Sequence, residues 1–207
     1  MMHAGALRTL MASAILYGWS SSAALSAQGS DPDWPCIQRK VPELSIGQIW
    51  TGPELPETSG ADSEISALIG ELAARRVPLA EAEQKIQNFA QDLTREERQD
   101  QLSKLMRSLF DHMNRERSQV IAGIGRYAQK QRDLAAALRH EASAIDALRA
   151  NSQNPSEVAI RNDQLMLRTR IFQERVQSLS FVCEVPTLIE QRLYALAKVI
   201  SQTLENP

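Results

Sequence analysis

The chain has only two cysteines, Cys36 and Cys183, in 207 residues. They are far apart, so no Cys-x-x-Cys redox motif exists and no cysteine-rich zinc site can form. Aromatic residues make up 5% of the sequence, and glycine and proline number nine each. Few aromatics beside abundant Ala, Leu, Gln, Glu and Arg favour long helices. No segment has the roughly 20 consecutive apolar residues of a spanning helix, so the mature protein is expected to be soluble. The formal net charge of −2 disfavours nucleic acid as a main partner. Nucleophile, phosphate-loop and dinucleotide motifs are absent. Gly123-x-Gly125 lies in a helical pattern, where it cannot cradle phosphate.

The N-terminus, by contrast, reads as an export signal. Arg8 is followed by an apolar run over residues 10–19 and a small, polar stretch over 20–27, the order of a secretory signal peptide. Cleavage is placed after Ala24 or Ala27. No cysteine follows either position, which argues against a lipoprotein. An uncleaved N-terminal anchor is the alternative. The expected location is periplasmic or secreted, where an even cysteine count reads first as a disulfide. Intermolecular bridging and two buried thiols are the other readings of Cys36 and Cys183.

Residues 28–60 are expected to form an extended arm. Five prolines (Pro32, Pro35, Pro42, Pro53, Pro56) exclude helix through most of it. Its apolar residues, Trp34, Ile37, Val41, Leu44, Ile46, Ile49 and Trp50, are more than a disordered tail carries. They are expected to be buried against the remaining domain, residues 61–207.

From Asp62 the apolar spacing becomes helical. Ile65, Leu68, Ile69 and Leu72 mark a first helix over 62–76. Pro78 opens a second over 78–93, with Leu79, Ala82, Ile86, Phe89 and Leu93 on one face. Thr94 and Glu97 form a capping box. A proline-free stretch then runs to Ala150, with a seam through Leu102, Leu105, Leu109, Met113, Val120, Ile124, Tyr127, Leu134, Leu138, Ile145 and Leu148. From Met113 to Leu148, with the polar positions included, its alternating four and three steps are those of a coiled coil. Arg117, Gln131 and Glu141 are polar seam positions, which set register and partner. Asn154-Pro155-Ser156-Glu157 starts the returning helix. That helix carries a heptad track through Val158, Asn162, Leu165, Thr169, Phe172, Val176, Leu179 and Cys183, and Pro186 is expected to interrupt and kink it. The fold class is therefore all-α: a long antiparallel helical hairpin whose coiled-coil stalk spans about 126–182, two short helices at its open end, and the extended N-terminal arm.

Folding the hairpin about residue 153 sets Cys183 level with Gly123, beside Gly125 and near Pro186. Mid-helix glycine costs roughly 1 kcal/mol against alanine but admits a close backbone. The arm is thus expected to cross here, with Trp34, Trp50, Gly123, Gly125 and Pro186 as docking contacts. The other reading of the glycines is a flexible point. Glu141 is expected to pair with Arg168 across the hairpin.

His112 and Glu116, four apart on one helical face beside Asp111, are the candidate metal ligands. The carboxylate and histidine set of a di-iron bundle is not completed, so the expectation is no metal and no cofactor. Residues 126–175 carry nine Lys/Arg and six Asp/Glu. This basic stalk suits acidic partners, anionic lipid head groups or peptidoglycan, or forms a solvated face.

Leu93-Thr94-Arg95-Glu96-Glu97-Arg98-Gln99 resembles the Leu-Thr-x-x-Gln motif of the Spy/CpxP-type periplasmic stress chaperones. It has Glu97 in place of the family's Gln and occurs once. A capping box gives the same letters, and the proline-rich arm and long hairpin depart from that family's compact shape. The sequence thus points to a non-enzymatic envelope protein, a scaffold binding a protein partner or a second copy. A holdase-like chaperone is the first alternative and a metal-binding helical protein the second.

Overall fold

A computed structural model describes residues 34–151 and 154–205. The signal-peptide reading of residues 1–27, the first residues of the arm and the centre of the turn lie outside this range. Four helices follow one another, α1 (Ser63–Ala73), α2 (Leu79–Gln91), α3 (Arg95–Ala150) and α4 (Pro155–Glu205), with no strand among the described residues.

Each helix starts where its local chemistry directs. Asp62 accepts from the Ile65 amide at the head of α1. At α3, Thr94 accepts from the Glu97 amide and the Glu97 carboxylate accepts from the Thr94 amide. This reciprocal pair satisfies two otherwise orphaned donors, and it is what the Leu93–Gln99 letters build. Asn154 accepts from the Glu157 amide at the head of α4, with Pro155 in the first turn, where its missing N–H costs nothing.

α3 packs against α4 as an antiparallel hairpin. At its open end α1 and α2 close a dry core. Leu72, Ile86, Leu102, Leu105, Leu109, Leu193, Leu196 and Ile200 are fully buried there. Arg192 of α4 holds the α1–α2 link by donating to the Leu72 and Val77 carbonyls at 2.7 and 2.9 Å; the first is a carbonyl orphaned by the end of α1, the second belongs to the link.

The stalk is different. On α3 its buried positions are Ile121, Ile124, Ala128, Gln131, Leu138 and Ile145. The expected seam residues Val120, Tyr127, Leu134 and Leu148 are only half-buried. On α4 no residue among the described ones before Cys183 is fully buried. The seam residues Val158, Asn162, Leu165, Thr169, Phe172 and Leu179 are half-buried, and Val176 is exposed. A two-helix seam shields each side chain from one direction only, so partial burial is its natural result.

Three expectations are corrected. Pro186 does not interrupt α4; it is buried within a helix assigned continuously from Pro155 to Glu205. Proline removes one intrahelical hydrogen bond, and the flanking buried Cys183, Ile189 and Leu193 hold the segment in place. Glu141 takes Arg161 rather than Arg168, through two hydrogen bonds at 2.9 and 3.1 Å. The two arginines share a face of α4 one heptad apart, and the stalk register brings the one nearer the turn into reach. Among the described residues the glycine pair does not receive the arm. A Cβ at Gly123 would meet Arg126 Nη2 at 3.8 Å, and one at Gly125 would meet nothing within 4 Å. The close approach lies instead at Gly52, where a Cβ would run into the Trp50 ring.

Candidate functional site

The arm is fixed to the hairpin at three levels. At the open end Trp50 is buried in the core, its indole N–H donating to the Pro53 carbonyl at 2.6 Å. Leu44, Ile46, Ile49 and Leu55 pack against the same core. Midway, α3 side chains bind the arm's backbone, since prolines there leave carbonyls without ladder partners. Asn114 exchanges two hydrogen bonds with Leu44, accepting from its amide and donating to its carbonyl. Ser118 donates to the Pro42 carbonyl at 2.7 Å. Arg117, 3% exposed, donates to the Val41 carbonyl and to the Glu190 carboxylate. Arg117, expected on the seam as a register residue, is the arm's main polar anchor. Farthest out, Cys36 and Cys183 form a disulfide with Cα atoms 5.6 Å apart.

Around that disulfide the arm lies along one side of α4, against Val176, Leu179, Ser180 and Glu184. The two tryptophans separate here. Trp50 docks as expected, whereas Trp34 is half-exposed and folds onto the arm itself. Its indole donates to the Gln38 carbonyl, with the Lys40 ammonium 5.9 Å from its ring centroid. Ile37, expected to be buried, is fully exposed at the tip of this loop.

The opposite side of the hairpin at the same level is open. Val120, Gly123, Ile124 and Tyr127 of α3 with Ser178 and Val182 of α4 line an apolar groove of about 440 Å³. Gly123 contributes by leaving space in this groove, not by receiving the arm. Pro186 lies one turn beyond Cys183, inside the packed part of α4.

α4 also presents apolar side chains away from α3. Ile160, Leu167, Phe181 and Leu188 are 60%, 61%, 72% and 48% exposed. They recur at multiples of seven residues, and Ile171, also exposed, lies four beyond Leu167. Side chains at such spacing share one face of a helix. This second track runs beside the first heptad track of α4 and shows as an i, i+7 period among exposed positions.

His112 is exposed and Glu116 half-buried on α3, and neighbouring Asp111 is engaged by Arg107 at 3.0 Å. No group of three or more His, Cys, Asp or Glu able to hold a metal occurs among the described residues. The Arg161 hydrogen bond holds the Glu141 carboxyl below the usual carboxylate range, and the Thr94 hydrogen bonds do the same for Glu97. Both are architectural, one tying the stalk and one capping α3. A hollow of about 570 Å³ at the base, lined by Glu83, Gln87, Gln91, Arg98, Gln202 and Thr203 among others, sets one cation and one carboxylate among amides.

Neither a family model, nor a curated protein, nor a solved structure matches this chain. Among the described residues, no helix is long and apolar enough to cross a membrane.

Proposed function

We propose that this protein is an exported, non-enzymatic scaffold that binds a protein partner along its stalk. The observation that carries this reading is the exposed apolar track on α4. Isolated exposed apolar residues are ordinary, but a row at regular heptad spacing, even one interrupted by Gln164, Glu174 and Ser178, supports an interaction surface. A disulfide between arm and helix supports an oxidising compartment, in keeping with the signal-like N-terminus. The arm anchors on the hairpin at several levels, so the disulfide works as a clasp and leaves the stalk's outer face free to bind.

A photoreactive residue placed at position 167 in the full chain, expressed in its native host, tests this reading. Adducts at 167 are expected, and none when the same residue replaces exposed His112. Absence of adducts at 167 overturns it.

A holdase-like chaperone is the second reading, favoured by fully exposed Ile37 beside the groove lined by Val176 and Leu179. It predicts that the full chain suppresses aggregation of an unfolded client and that Ile37→Ser weakens the effect. The regular spacing of the α4 track favours a folded, helical partner over irregular clients.

A further inference from the structure

The outer face of α4 has a fuller pattern than its exposed residues alone suggest. Taken from Ile160 in steps of four and three, the positions are Ile160, Gln164, Leu167, Ile171, Glu174, Ser178, Phe181, Val185 and Leu188. Six of these nine are apolar, and all are exposed except half-buried Val185. The sustained alternation is that of a coiled-coil seam, and it lies on the side of α4 away from its seam with α3, except that Ser178 borders the groove with α3 and Val185 packs against the base core. One helix thus carries two heptad tracks, and the hairpin occupies only one of them. At a rise of 1.5 Å per residue the second track extends about 42 Å, four heptads.

The charges on one edge of this track select its occupant. Arg161, Arg168 and Arg175 each lie at the flanking position of successive heptads on the edge facing the open groove, whereas the other edge carries Asp163, Arg170, Gln177 and Glu184, with Arg170 paired to Glu174. Arg161 is engaged by Glu141 within the hairpin, while Arg168 and Arg175 are exposed. Flanking charges in a coiled coil set partner choice and orientation. A second copy of α4 is a poor match in either direction. Antiparallel pairing aligns the two arginine rows, and parallel pairing sets Glu174 against Glu174 inside the seam. A helix with acidic flanking positions faces the arginines instead.

We infer that the outer track of α4 is the seat of a single amphipathic helix from another protein, with apolar heptad positions and an acidic flank, which docks as a third strand of the stalk. This rests on the scaffold reading above and specifies its partner. The groove beside Gly123 widens the seat at its lower end, and the clasped arm occupies the other side of the hairpin. Gly123 and exposed Phe181 thereby acquire a role that the arm does not give them.

The probe is a synthetic peptide of four heptads with Ile and Leu at the seam positions, Glu at one flank and Gln at the other. A twin carrying Lys in place of the Glu and a scrambled acidic peptide serve as controls. Fluorescence anisotropy against the full-length protein is expected to show the acidic peptide binding at least about tenfold tighter than either control, the gap narrowing as salt screens the arginines. The variant Leu167→Glu/Phe181→Glu, at exposed positions, is expected to keep the parent circular-dichroism spectrum and to lose binding about tenfold or more. Arg168→Glu/Arg175→Glu is expected to shift preference to the lysine twin. Equal binding of both twins, or acidic binding indifferent to these variants, overturns the inference. So does a dimer of the chain that dissociates in Leu167→Glu/Phe181→Glu, which assigns the track to a second copy. If adducts form at position 167 but the acidic peptide does not bind, the helix inference fails and the scaffold reading stands. If adducts are also absent, both fail.

Discussion

The base and the stalk are built from the same two helices, yet they bury their side chains differently. At the base, α1 and α2 cover the hairpin, and Leu102, Leu105, Leu109, Leu193 and Leu196 are fully buried. Along the stalk the hairpin stands alone, the seam includes Gln131 and the Glu141–Arg161 pair, and α4 turns Ile160, Leu167 and Phe181 outward. Buried apolar area is the main source of stability, so the base holds the molecule together. The stalk, with little dry core, presents surface. The arm joins the two regions, buried at Trp50 and covalently tied at Cys183.

The largest expected effect comes from cutting that join. The disulfide closes a loop of 147 residues, and the chain-entropy model gives about 5 kcal/mol as an upper figure. Cys36→Ser/Cys183→Ser is expected to lose about 2–5 kcal/mol in chemical denaturation, with the arm's outer loop freed in hydrogen exchange. If the double variant matches the parent, the hydrogen bonds from Asn114, Arg117 and Ser118 suffice to seat the arm. Next comes the core contrast. Leu193→Ala at the base is expected to cost about 3–4 kcal/mol, and Leu138→Ala in the stalk about 1–2, since large-to-small losses scale with the cavity left behind. Equal costs, measured the same way, break the division into base and stalk. Thr94→Ala removes the capping box of α3 and is expected to cost about 1 kcal/mol.

The smallest effect concerns pH. Arg161 lowers the Glu141 carboxyl pKa in the folded stalk. The resulting stabilisation is present above the ordinary glutamate range and is lost as pH falls through the lowered folded value. Glu141 is expected to titrate below the exposed glutamates by carbon-detected NMR. Arg161→Gln returns it toward them, with the change confined to the stalk.

Much of the architecture was legible because local chemistry and heptad spacing agreed. Thr94 with Glu97 and Asn154 with Pro155 placed two helix starts, and the two short helices had nowhere to pack but the open end. The disulfide followed from compartment and count. The arm's crossing point was not legible, because a mid-helix glycine has the same letters whether it admits a backbone or opens a groove; Gly123 does the second. Pro186 marks a lost hydrogen bond, but whether the helix breaks depends on packing by residues distant in sequence. The Glu141 partner depended on register, which hairpin arithmetic fixes only to within a turn. Half of the arm followed its hydrophobicity: Trp50 buries, whereas Ile37 and Trp34 sit on a loop that a short sequence span holds away from the core. The second track of α4 was readable in principle, since Ile160, Leu167, Phe181 and Leu188 keep a strict period. It was hidden by the first track, which already explained the helix.

The most direct test of this division of labour is amide hydrogen exchange of the full-length protein with and without the acidic heptad peptide. The predicted result is slowed exchange along α4 from about residue 160 to 188, with the base unchanged, since helix docking protects the amides of the face it stabilises. Protection confined to the base, or none along the stalk while the peptide is bound, contradicts the assignment of the α4 outer face as the working surface.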